Sequence, residues 1–217
     1  MCGSLITDSD LFARLSNFLP LALHSRQTQH RPLMIYYFAY GSNLLKQRIQ
    51  LRNRSAVYVG VGYLTNYRLL FGGKSDHWGG ATASIKPSPS DCVYGAVWTL
   101  DNKDIASLDA QEGVPNHYSP FSISVSVGRK VVTCRTYALN TEQEGPPSPY
   151  YLDIVLRGAI QSNLPDFYVE MLRKVHHNHV FGDNKVYSAV INCLDPNERG
   201  EFQIIELKDK FSNAENE

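Results

Sequence analysis

Ile35-Tyr36-Tyr37-Phe38-Ala39-Tyr40-Gly41-Ser42-Asn43-Leu44-Leu45-Lys46-Gln47-Arg48-Ile49 changes character twice. It begins aromatic and β-prone, breaks at a glycine, and continues with helix-forming residues after Asn43. The pattern predicts strand, tight turn and short helix. A glycine directly after a strand lets backbone approach a ligand closely, because no Cβ intervenes. The N–H groups that open the following helix are unpaired within it and suit a carboxylate or a developing oxyanion. The plainer alternative is that Ser42 or Asn43 merely caps that helix.

Downstream, strand patterns cover 55–63, 67–71, 81–86 and 93–100, separated by Gly, Pro, Ser and Asp clusters. The period then changes over 100–109, where Asp101 is placed to cap a helix that presents Ile105 and Leu108 on one side. Strand patterns return at 118–127 and 130–139. Gly145-Pro146-Pro147-Ser148-Pro149 is a stiff linker that cannot join a central ladder. Beyond it, Tyr151, Ile154, Val155 and Ala159, then Tyr168, Met171, Leu172 and Val175, recur at helical spacing. Two helices are expected there, with Pro165 in the first turn of the second.

Glu112, in Leu108-Asp109-Ala110-Gln111-Glu112-Gly113-Val114, occupies an unusual place for a carboxylate. It stands just before a glycine at a predicted helix end, where the helix dipole disfavours negative charge by ~0.3–1 kcal/mol. A site that destabilises the anion raises its pKa, which suits a group that accepts and donates protons near neutrality. Taken alone, such a glutamate is as a rule a solvated surface residue.

The chain has 217 residues, 43% of them hydrophobic, which is enough for one domain with a real core. Acidic and basic residues balance at 21 each, arguing against a nucleic-acid surface. No apolar run has the length to span a bilayer, so no membrane association is expected. Cys2, Cys92, Cys134 and Cys193 form no CxxC pair, and reduced thiols in the cytoplasm are the expectation. Asp8 and Asp10 spoil both a secretory signal and a transit peptide, leaving residues 1–33 as a poorly ordered extension.

Taken together, 37–44 and 108–114 closely resemble the γ-glutamylcyclotransferase family. Trp78-Gly79-Gly80, Thr133-Cys134-Arg135-Thr136-Tyr137 and Pro146-Pro147-Ser148-Pro149-Tyr150-Tyr151 are similar to the same family in order and spacing. The resemblance runs from about 36 to 175 and implies an α+β fold, a compact mixed β-barrel with flanking helices. It implies a catalytic domain over 34–180, with 181–217 a C-terminal segment to which it assigns no role. It also implies a cofactor-free and metal-free reaction on a small γ-glutamyl substrate within glutathione metabolism, and a homodimer.

Residue by residue, Glu112 matches the family's base. Tyr37, Phe38, Ala39, Tyr40, Gly41 and Ser42 match its substrate-binding loop, with Asn43 adjoining. Tyr151 matches a later substrate contact and Tyr137 a tyrosine near the base. The implied reaction is attack of the substrate's own α-amine on its γ-carbonyl, releasing 5-oxoproline and the free amino acid. The nearest rival is a cyclotransferase acting on γ-glutamylamines such as γ-glutamyl-lysine, and a further rival is a non-catalytic relative that kept the pocket. His176-His177-Asn178-His179 has metal-like composition but stands at an expected helix end, where cationic histidine is favoured. Cys92 and Cys134 read as packed thiols, and Trp78 as either a pocket wall or a packing residue.

Overall fold

The structure is a computed structural model that describes residues 33–200. Five strands, β1 (Met34–Ala39), β2 (Val57–Ser75), β3 (Gly80–Asp101), β4 (Tyr118–Val127) and β5 (Lys130–Leu139), close into a barrel in the order β1-β3-β2-β4-β5. The barrel is mixed. β1 runs antiparallel to β3 and parallel to β5, and closure comes from the parallel pairing of Tyr36 with Cys134 and Tyr37 with Arg135. Helices flank it: α1 (Lys46–Gln50), α2 (Ile105–Glu112), α3 (Pro149–Gln161), α4 (Asp166–Arg173), α5 (Lys185–Ile191) and the short α6 (Pro196–Arg199).

The four expected strands between 55 and 100 are two long ones, because the Gly and Asn breaks become irregularities inside a single hairpin. Register shifts fall between Tyr58 and Gly60, between Thr65 and Tyr67, and between Gly72 and Ser75. These irregularities let a strand bend around a barrel without ending it. Space inside the barrel explains Gly62 and Gly95, which pair directly across this hairpin. A Cβ on Gly95 would stand 2.6 Å from the Phe38 ring, and one on Gly62 2.8 Å from it. The missing side chains make the volume that the Phe38 ring fills, and that ring is fully buried.

Three further expectations need correction. Asp101 ends β3 and makes no side-chain cap; its carboxylate pairs instead with Lys103 at 3.1 Å. A 3-10 turn (Asn102–Asp104) intervenes, so α2 starts later and runs on to Glu112. Pro165 is the N-cap of α4 rather than a member of its first turn.

The proline-rich linker stays out of the main ladders but lies along the hairpin. Ala81 N–H donates to the Pro146 carbonyl at 3.1 Å, and Gly145 N–H to the Phe71 carbonyl at 3.0 Å. It then starts α3 efficiently: the Ser148 hydroxyl accepts from Tyr151 N–H at 3.2 Å, with Pro149 at the first helical position. α3 is buried along most of its length and packs on the turn after β1. Val190 and Leu194, beyond residue 180, join the same core. The expectations for 1–32 and for the end of the C-terminal segment lie outside the described residues.

Candidate active site

β1 delivers its aromatic side chains alternately to two sides, as strand geometry requires. Phe38 points into the barrel interior. Tyr37, on the other side, and Tyr40, one residue past the end of β1, line a cavity with Gly41, Ser42, Asn43, Ala83, Glu112, Tyr118, Thr136, Tyr137 and Tyr151. Of the residues singled out from the sequence, Phe38 and Ala39 do not line it; both are fully buried. Ala83, Tyr118 and Thr136 line it without having been singled out. Nothing local marks them, because their inward direction depends on barrel closure.

The turn after β1 is a 3-10 turn over Ser42–Leu44, followed by α1. Neither Ser42 nor Asn43 caps a helix: the N-cap positions are Gly41 and Leu45, and neither start carries a side-chain cap. Asn43 is spent elsewhere. Its amide N–H2 donates to Glu112 Oε1 at 2.8 Å and to the Tyr37 hydroxyl at 3.1 Å. The Tyr37 hydroxyl also faces Glu112 Oε1, at a longer 3.5 Å. Glu112 Oε2 takes no hydrogen bond among the described residues.

Glu112 owes its position to the end of α2. Gly113 adopts the left-handed conformation (φ 69°) that stops the helix, so Glu112 is its last residue. Burial raises its carboxyl from an ordinary 4.5 to about 7, against the opposing pull of the Arg48 charge and the hydrogen bonds from Tyr37 and Asn43. Asp109 on the same helix adds to the rise. Desolvation, rather than the helix dipole anticipated from sequence, is the main cause.

Arg48 was not singled out, and its place on α1 explains why its charge is felt. It is 8% exposed, lies over the Trp78 ring at 5.7 Å, and makes no ion pair among the described residues. Trp78 is a packing residue that does not line the cavity: its ring packs T-shaped against that of Tyr151, with centroids 5.2 Å apart.

Tyr151 comes from α3, and its hydroxyl oxygen accepts from Ala83 N–H at 3.0 Å. The hydroxyl's own proton has no acceptor among the described residues, which leaves it for a ligand. Burial pushes this phenol up to about 12, and Tyr37, Tyr40 and Tyr118 are likewise raised, so all four are neutral donors at physiological pH. Gly41 is needed here for space. A Cβ would stand 2.7 Å from the Tyr151 hydroxyl and 3.2 Å from Ala83 Cβ.

Tyr40 donates to the Tyr137 carbonyl, and Tyr118 to the Ala83 carbonyl at 2.6 Å. Tyr137 lines the cavity, but its hydroxyl serves Asp109 at 2.6 Å rather than Glu112. Asp109 also holds Arg135 at 2.7 and 2.8 Å.

The remaining candidates fall outside this cavity. Among the described residues no group of three or more His, Cys, Asp or Glu side chains is arranged to hold a metal, the 176–179 histidines included. Cys134 is a buried thiol that desolvation pushes up to about 12, and Cys92 is half-buried. No helix among the described residues is long and apolar enough to cross a membrane.

Comparison with known proteins converges on one group. Residues 92–172 match the model of the AIG2-like family. A mouse gamma-glutamylcyclotransferase is 44% identical over 152 residues, spanning 67% of this chain and 81% of its own. The human gamma-glutamylcyclotransferase is 42% identical over 175 residues, spanning 78% and 90%. A solved gamma-glutamyl cyclotransferase structure superposes with a TM-score of 0.70 at 36% identity, covering 74% of this chain and 99% of that one.

Proposed function

Because the chain belongs to the γ-glutamylcyclotransferase family, we propose that it converts γ-glutamyl amino acids to 5-oxoproline and the free amino acid, with Glu112 as the base. The observation that carries this reading is the state of Glu112. It sits at a cavity, its Oε1 is held by neutral donors, its Oε2 is open, and burial pushes its carboxyl up to about 7. A carboxylate of that kind exchanges protons near neutral pH, which an ordinary surface glutamate does not.

The chemistry needs little else. The substrate's α-amine and γ-carbonyl belong to one molecule, so holding the side chain curled removes much of the entropic barrier. The α-ammonium is largely protonated at neutral pH. Glu112 takes one of its protons, the freed amine attacks the γ-carbon, and a tetrahedral oxyanion forms. The bond to the leaving nitrogen breaks as Glu112 returns the proton to it and the carbonyl re-forms. Glu112 then takes the surplus proton of the new ring nitrogen and passes it to the departing amine. Tyr151 supplies the free O–H for a substrate oxygen, and Tyr37 and Asn43 keep the carboxylate aimed. Ser42 binds and does not attack.

The test is release of 5-oxoproline from γ-glutamyl-alanine by the purified chain, alongside γ-glutamyl-lysine. Turnover of the first and not the second supports the reading. The reverse preference would make it a γ-glutamylamine enzyme, and no release from either would make it a binding relative.

A further inference from the structure

Behind the cavity a row of side-chain amides connects α1 to α2. Asn43 turns its N–H2 to Glu112 at 2.8 Å, and its carbonyl accepts from Gln111 Nε2 at 2.7 Å. The Gln111 carbonyl in turn accepts from Asn53 Nδ2 at 3.3 Å, and the same nitrogen donates to the Ile49 backbone carbonyl at 3.3 Å. Asn53 is fully buried. An amide can present either end to a neighbour, so the polarity of such a row must be set somewhere.

Here it is set at Ile49, because a backbone carbonyl can only accept. Asn53 must face it with N–H2, which leaves N–H for Gln111. Gln111 then offers its own N–H2 to Asn43, and Asn43 is left with N–H2 for Glu112. We propose that Gln111 and Asn53 are positioning residues for the reaction, fixing the Asn43 amide so that it donates to Glu112 and never accepts from it. The inference rests on Glu112 being the base.

The consequence for the reaction is directional. If Asn43 were reversed, a protonated Glu112 could give its hydrogen to the Asn43 carbonyl and hold it there. With N–H2 facing the carboxyl, Asn43 offers the proton no acceptor, and the proton is left for the leaving nitrogen. The amide also favours the anion, so the base is reset after each turnover. The other groups acting on Glu112 are Arg48 from α1, Tyr37 from β1 and Asp109 on its own helix. It is itself felt by Tyr40, Tyr118 and Tyr151. Of these only Tyr37 bonds Asn43: its hydroxyl accepts from the same N–H2 at 3.1 Å and favours the same orientation, while Gln111 holds the amide from its other end.

Two substitutions at the half-exposed Gln111 test this, with kcat, KM and the pH profile measured for each and folding checked by thermal melting. Gln111→Met removes the donor without adding charge, so Asn43 can turn. We expect kcat to fall about tenfold with KM nearly unchanged, and the acid limb to move up by about one pH unit. Gln111→Glu can only accept, which forces the reversed amide, and should move both quantities further in the same direction. Wild-type kcat and pH profile in both variants would overturn the proposal. So would a shift in Gln111→Glu alone, since that would be the through-space effect of a new charge. Glu112→Gln, run beside them, separates this from a wrong base: if that variant keeps turnover, the base assignment has failed and not the amide row.

Discussion

α2 carries two carboxylates one turn apart, and they face different surroundings. Asp109 has a full charge partner in Arg135 and a phenol in Tyr137. Glu112 has no ion pair among the described residues; it has neutral donors, a desolvated cavity and the through-space pull of Arg48. The first arrangement ties α2 to β5, and the second keeps a carboxyl close to the balance between its two states. On the proposed reading, equal chemistry on one short helix serves structure in one turn and proton transfer in the next. What divides the roles is which strand or helix packs opposite, not the residue type.

The largest break in this contrast is Glu112→Gln, which preserves shape and hydrogen bonding but cannot accept a proton. Turnover should fall by at least ~100-fold with substrate binding retained. Activity within a few-fold of wild type would remove Glu112 from the mechanism.

Gly41→Ala comes next. The added methyl strikes the Tyr151 hydroxyl, so kcat/KM should drop by ~10–100-fold through misplacement of about 1 Å. Because Ala83 lies close as well, the melting temperature should fall too. Normal kinetics in the folded protein would show that Tyr151 can retreat at no cost to turnover.

The same helix sharpens the comparison thermodynamically. A carboxyl raised from 4.5 to about 7 on folding penalises the native state once both forms are ionised, by at most roughly 3 kcal/mol. The folded protein binds more protons than the unfolded chain between those values, so this part of its stability is full below about 4.5 and is lost as pH rises through about 7. Glu112→Gln lacks the penalty. It should melt above wild type at pH 8 and alongside it near pH 4, as scanning calorimetry would show.

Asp109→Asn should do the opposite of Glu112→Gln. Losing the charge partner of Arg135 should cost about 1–3 kcal/mol, reduced by the exposure of both groups, with turnover changed only a few-fold. Since Asp109 helps to raise Glu112, the acid limb of kcat/KM should also move down. A hundredfold loss of turnover would assign Asp109 to the chemistry. Least of all is expected from a reductant: Cys92, Cys134 and Cys193 are free thiols, so neither the melting curve nor the rate should change.

Much of this molecule was legible in its sequence because its key stretches are local. The β1 run with its glycine turn and Gly113 at the end of α2 each announce themselves through turn and cap chemistry, whereas Ser148-Pro149, which reads as linker, proves to be the start of α3. The candidate cavity was legible in part, since Tyr37, Tyr40–Asn43, Glu112, Tyr137 and Tyr151 sit in recognisable segments. Arg48, Gln111 and Tyr118 were not, because each acts through a neighbour far along the chain. Asp101 misled for a related reason: strand pairing with Met34 extends β3 through a residue whose local signal favours a helix start. Burial as the cause of Glu112's shift was equally invisible, as desolvation belongs to the closed barrel and to no segment of it.

The parallel seam between β1 and β5 carries a consequence for how the molecule comes into being. Tyr36 meets Cys134 there, 98 residues later in the chain. Contacts so distant in sequence form late, after the entropy of closing a long loop has been met. The strand that bears Tyr37 and leads into Gly41 and Asn43 is made early in translation, yet its second neighbour is the last strand of the barrel. A growing or truncated chain that stops before β5 thus holds the whole glycine turn, and Glu112 as well, without the enclosure that gives them their chemistry.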